Sequence, residues 1–108
     1  MAKYLVIESR DPFDSSDSSY FSELVQGISN RGNKTTLFLV QNGVLSVRKG
    51  SKYNDIISKL IEGKVKVLAD GFSLKERGID KTVDGVNTAD IDRLVDLLLE
   101  PGTKAIWH

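Results

Sequence analysis

The sequence contains no cysteine among its 108 residues. That absence excludes thiolate nucleophiles, persulfide carriage, disulfide bridges, zinc-thiolate centres and iron-sulfur ligation together. Histidine is nearly as scarce, the only one being His108 at the end of the chain. A Ser-His-Asp triad or a multi-histidine metal site would have to be built around a terminus, where order is usually poorest. No apolar run approaches the ~18 residues of a membrane span, and the first residues lack the apolar stretch of a secretory signal. The expectation is a cytoplasmic chain with no membrane association. Neither the Walker A lysine motif nor Gly-x-Gly-x-x-Gly occurs, so no nucleotide fingerprint is met.

What is present describes one ordinary domain spanning residues 1–108, with 40% hydrophobic and 28% charged residues and a formal net charge of zero. A chain of this size buries roughly two thirds of its unfolded surface, enough for one core without metal or disulfide staples. The zero net charge hides a distribution. Residues 1–30 carry two basic and five acidic groups, 31–81 eleven and five, and 82–108 two and five. Without interleaved aromatics or a recognition motif, the basic middle does not argue for direct nucleic-acid binding.

Along the chain, Lys3 to Ile7 is an apolar, partly β-branched run that reads as a strand buried on both faces. Ser9 to Ser16 follows as a polar loop, with Pro12 forcing Asp11 toward extended geometry. From Asp17, the residues Tyr20, Phe21, Leu24, Val25 and Ile28 fall on one helical stripe that ends near Gly32. Thr35 to Val40 is a second strand, closed by a turn at Gln41-Asn42-Gly43. Tyr53, Ile56, Ile57, Leu60 and Ile61 fit the helical template, with Ser51 as cap and Gly63 as stop. Val65 to Ala69 is a third strand, and Ser73-Leu74-Lys75-Glu76 has the spacing of a capping box before a short helix. A brief strand is expected at Val83 to Val86. Thr88 then caps a helix with a core stripe of Ile91, Leu94, Val95 and Leu98, and Lys104 to Trp107 forms the last strand. This alternation demands an α/β fold, a parallel sheet with helices on both faces.

In such sheets ligands bind beyond the carboxyl ends of the strands, where three loops converge. They offer Asp11, Asn42, Gly43, Asp70, Gly71 and Ser73 as cleft candidates. Asp70 stands at a helix start, where its simplest role is to satisfy free amides and its functional one is general base or metal ligand. Ser73 reads first as a cap, since no histidine in the body of the chain could activate it. Asp11 and Asp14 could join Asp70 in a magnesium-binding phospho-acceptor pocket, but the adjacent paired acids this needs after the first strand are missing. No catalytic residue, metal ligand set or cofactor is assigned.

The motifs Ser9-Arg10-Asp11-Pro12-Phe13, Leu39-Val40-Gln41-Asn42-Gly43-Val44, Val65 to Ala69 leading into Ser73 to Ile79, and Lys104 to Trp107 occur in an order that resembles the DsrE/DsrF/DsrH (TusD/TusC/TusB) sulfur-relay family. The proline-aromatic loop and terminal tryptophan are most similar to the DsrH/TusB branch. The resemblance covers nearly the whole chain. It implies a three-layer α/β/α sandwich of flavodoxin-like appearance with a five-stranded parallel sheet, and oligomers of homologous subunits. It also implies movement of persulfide sulfur, toward tRNA 2-thiouridine or in sulfur oxidation. In carrier members a cysteine precedes the Arg77-Gly78-Ile79-like segment, and on this chain that position is Asp70.

A carboxylate cannot carry sulfane sulfur. The expected function is therefore that of a non-carrying subunit in a homo-oligomer or in a hetero-oligomer with cysteine-bearing DsrE-like chains, acting through contacts at Pro12, Phe13, Arg48, Lys49 and Lys52. The alternative is a small-ligand binding module using the cleft beside Asp70, Asn42 and Asp11. An enzyme with Asp70 as general base ranks last.

Overall fold

The computed structural model describes residues 2–13 and 18–108, with side chains for all of these except 18–21. Asp14, the start of the first helix at Asp17, and the side chains of Tyr20 and Phe21 lie outside what is described. Five strands, β1 (Lys3–Glu8), β2 (Lys34–Leu39), β3 (Lys66–Asp70), β4 (Asn87–Ala89) and β5 (Thr103–Trp107), form one sheet in the order β4-β3-β2-β1-β5. All four pairings are parallel. The helices are α1 (Ser18–Asn30), α2 (Asn54–Glu62), α3 (Gly71–Glu76) and α4 (Ile91–Leu99), with a 3-10 helix at Gln41–Val47.

The strand order explains the layers. From β1 to β4 the chain steps one way across the sheet, and right-handed crossovers then place every connection on one face. The return from β4 to β5 runs the other way, so α4 crosses the opposite face. Two cores result. Val6, Leu37, Leu39, Val67 and Ala69 pack under Val25 of α1, Val44 and Val47 of the 3-10 helix, Ile57 and Leu60 of α2, and Leu74 of α3. Leu5, Ile7, Phe38, Val40 and Leu68 pack under Leu94 and Leu97 of α4 alone. The three inner strands β1, β2 and β3 are thus apolar on both faces, as parallel strands between two layers must be. No helix among the described residues is long and apolar enough to cross a membrane.

Several local expectations are corrected. The turn after β2 is instead a seven-residue 3-10 helix, because Val44 and Val47 are completely buried and draw the chain back onto the sheet. The brief strand lies at Asn87–Ala89 rather than 83–86. Val83 and Val86 are apolar because they pack on the larger core, and the Val83 amide donates to Val47 O at 2.9 Å. Ser51 does not cap α2; its hydroxyl accepts from the Tyr53 amide in the turn before the helix. Thr88 lies in β4, and Asp90 caps α4 by accepting from the Arg93 amide at 3.0 Å. Within α4 only Leu94 and Leu97 are buried, while Ile91, Val95 and Leu98 face outward.

Candidate functional site

The carboxyl ends of the strands share one edge of the sheet, the edge at which open parallel sheets bind ligands. At the end of β3, Asp70 is 7% exposed and its Oδ2 accepts from both the amide (3.0 Å) and the hydroxyl (2.6 Å) of Ser73. Asp70 is therefore the cap of α3, and Ser73 is not; the Ser73–Glu76 capping box is replaced by an Asp70–Ser73 one-sided cap. The Ser73 hydroxyl in turn accepts from the Gln41 amide at 2.8 Å, tying the end of β2 to the head of α3. Arg77 completes the network: its Nε and one terminal nitrogen donate to Asn42 Oδ1 at 3.1 and 2.9 Å, and the other terminal nitrogen donates to Ser73 O.

The sequence-derived cleft residues thus separate into three groups. Asp70, Ser73 and Asn42 are linked through Gln41 and Arg77. Gly71 and Gly43 serve close packing: a Cβ at Gly43 would stand 2.3 Å from the carbonyl oxygen of Glu8, and one at Gly71 would meet the Thr88 methyl at 3.0 Å. Asp11 is not hydrogen-bonded into the network; its Oδ1 accepts from the Phe13 amide at 2.8 Å within its own turn. The Ser73 proton is committed to Asp70, and Asp70 Oδ2 to Ser73, so this network braces the strand ends.

The contact candidates also divide. Pro12, Phe13 and Lys52 gather around Tyr53, whose hydroxyl donates to Pro12 O at 2.6 Å. The Phe13 and Tyr53 rings meet edge to face with centroids 5.0 Å apart, and Lys52 Nζ lies 5.4 Å from each ring centroid, within cation-π range. Arg48 and Lys49 belong elsewhere, bridged through their backbones to Thr82 and Lys81.

Three functional-edge residues escape a reading of the sequence. Glu8, 7% exposed, ends β1 with Oε1 accepting from the Arg10 amide at 2.9 Å and Oε2 2.7 Å from His108 Nδ1. His108 is held by its backbone as well, through bonds with Ile7 O and the Ser9 amide, so the last residue is tied to the sheet. Arg77 is the third. The signal available for Glu8 was a carboxylate directly continuing a buried strand; for Arg77 it was a cation four residues after Ser73 on the same helical side. A small cavity of ≈ 40 Å³ beside Glu8, lined by Val25, Gly43, Tyr53 and Ile57, has room for about three waters. No group of three His, Asp or Glu among the described residues could hold a metal ion.

The comparisons fit this architecture. The chain superposes on the YchN protein of Escherichia coli with a TM-score of 0.90 at 19% identity, covering all of both chains. It superposes on MTH1491, a protein of unknown function from Methanobacterium thermoautotrophicum, with a TM-score of 0.88 at 19% identity, again over both whole chains. BT1422 of Bacteroides thetaiotaomicron gives a TM-score of 0.81 at 15% identity, over 99% of this chain and 95% of that one. At these identities the likeness is one of fold. No curated protein matches the sequence significantly. The DsrE/DsrF-like family matches residues 2–107, and with that match over nearly its whole length, on this sheet order and these two cores, the chain belongs to the DsrE/DsrF-like family.

Proposed function

We propose that this chain is a non-carrying DsrE-like subunit of a sulfur-relay complex, serving tRNA thiolation or sulfur oxidation by contact with cysteine-bearing homologues. The observation that carries the reading is the lack of any cysteine in a member of this family. Asp70, the position to which the resemblance assigns the carrier thiol, is a buried carboxylate engaged by Ser73. It caps a helix and holds no transferable group.

The contact surface is the α4 side of the sheet. One face carries three helices and the 3-10 helix, the other a single nine-residue helix. On that thin side Ile91, Val95, Leu98 and Leu99 form an outward apolar stripe at 57%, 47%, 42% and 75% exposure, with Trp107 at 66% nearby on the edge strand. Its occupant is a second DsrE-like subunit of the same fold. The test is native mass spectrometry of the chain alone and with a cysteine-bearing DsrE-like homologue. Assembly is expected, and Leu98→Asp is expected to dissolve it without unfolding the chain. A chain that stays monomeric and binds no homologue overturns the reading.

A further inference from the structure

At the opposite end of the sheet from the Asp70 network, the amino-terminal strand edge holds a second feature that the relay reading does not use. A cavity of ≈ 60 Å³ opens there on the α4 side, and its walls include Lys3, Lys34, Lys66 and Arg93. The sheet register sets three of these side by side. Thr103, Lys3 and Lys34 are directly paired across β5, β1 and β2, and Lys66 is paired with Thr36, two residues farther along β2 on the same face. Paired strands lie about 4.8 Å apart, and like charges set opposite each other repel.

None of the four cations forms an ion pair or a side-chain hydrogen bond among the described residues, and Glu100 is the only acid lining the cavity. The carboxyl end of α4 also points here and contributes roughly −0.5 charge; with Glu100 that gives about −1.5 against +4, leaving a surplus near +2.5. A second observation also indicates a ligand. Thr103 lines the same cavity, and its Oγ1, shielded from solvent, is the one buried side-chain polar atom among the described residues with no hydrogen-bond partner. A hydroxyl can donate as well as accept, and a small shift of the atoms that shield it would let it donate to an anion held by the lysines.

We infer that the cavity ringed by Lys3, Lys34, Lys66 and Arg93, with Thr103 in its wall, is a binding site for a small tetrahedral oxyanion carrying two negative charges. The charge surplus favours a multiply charged anion. A cavity of ≈ 60 Å³ walled by exposed basic side chains suits a compact one, such as phosphate or sulfate. Lysine ammonium groups bind such ions as movable point charges, which suits an edge where three strands each supply one.

The experiment is isothermal titration of inorganic phosphate and of sulfate into the purified chain at constant ionic strength set with chloride, with thermal denaturation followed in parallel. Saturable binding of one ion per chain is expected, with phosphate and sulfate competing and a melting temperature that rises with ligand by mass action. Lys34→Gln combined with Lys66→Gln should weaken binding at least about tenfold. The same double variant should melt no lower than the parent in chloride alone, since it relieves repulsion. Lys59→Gln, an exposed change on α2, should leave the affinity unaltered. The inference is overturned if phosphate and chloride raise the melting temperature equally, if the double variant binds as the parent does, or if Lys59→Gln weakens binding as much as the double variant. The cavity lies on the same α4 side as the apolar stripe, but the assembly test reads mass and its loss in Leu98→Asp while this one reads ion binding and its loss in the lysine variant, so either result can fail without the other.

Discussion

At the residue scale, the two best-determined positions on the functional edge are Asp70 and Gly43. Asp70→Ala removes the acceptor for both the amide and the hydroxyl of Ser73. Losing a helix cap costs about 1 kcal/mol, and stranding buried donors costs about 1–3 kcal/mol more. The expected loss is about 2–4 kcal/mol in urea denaturation, with Asp70→Asn retaining much of it because the amide oxygen still accepts. Equal stability of Asp70→Ala and the parent would show that the network is not what braces the strand ends. Gly43→Ala would press a Cβ onto the Glu8 backbone, where neither partner is a flexible side-chain end. Such overpacking is expected to cost about 1–3 kcal/mol. Gly27→Ala, in the body of α1 with nothing within 4 Å of the new carbon, should instead stabilise by about 0.5–1 kcal/mol. A melting-temperature series on these two alanines reads the opposite signs directly.

At the element scale, α4 is apolar over about 200° of its circumference at 100° per residue, counting from Leu97 through Leu94, Leu98, Ile91 and Val95 to Leu99. The sheet covers only the Leu94 and Leu97 side. Leu94→Ala is therefore expected to cost about 2–5 kcal/mol by opening the thinner core, whereas Val95→Ala should change monomer stability by less than about 0.5 kcal/mol. Equilibrium unfolding of the two variants at low protein concentration separates them. This helix also shows what the sequence can convey. Its existence follows from the periodicity, but which apolar side meets the sheet does not, because a stripe this wide satisfies more than one rotation. The same holds for the caps. Ser51, Ser73 and Thr88 were each plausible by residue type, and each was passed over for Asp90, Asp70 or none when packing set the first turn a few residues away. β1, β2 and β3 were legible because burial on both faces leaves a continuous apolar run. β4 was not, since three residues at an edge, Asn87-Thr88-Ala89, carry no hydrophobic signal. Of the candidate site, Asp70 and Ser73 were legible as strand-end and helix-head residues. Glu8 with His108 was not, because a hundred residues separate them and only the parallel pairing of β5 on β1 brings them together.

At the scale of the whole molecule, composition and architecture lead to the same conclusion from different directions. A layered sheet reaches full stability when both faces are covered, and here one face is left thin and apolar beside an exposed tryptophan. A chain without thiols can influence sulfur transfer only through the surface it offers to another chain. These two statements join in one measurement. A cysteine-bearing DsrE-like homologue is loaded with sulfane sulfur, mixed with this chain, and both are weighed intact by mass spectrometry over time. The homologue alone is expected to keep or lose the mass of one sulfur atom. This chain is expected to show no gain at any time, yet to alter the homologue's rate of loss. Leu98→Asp, which keeps Asp70 and the whole functional edge but charges the α4 stripe, should abolish that effect while leaving the homologue's own rate untouched. Because the stripe is apolar, the effect should persist at high salt, where charge-driven contacts are screened over about 3 Å at 1 M. A sulfur adduct on this chain, or an effect that survives Leu98→Asp, would mean that the α4 face is not how it takes part.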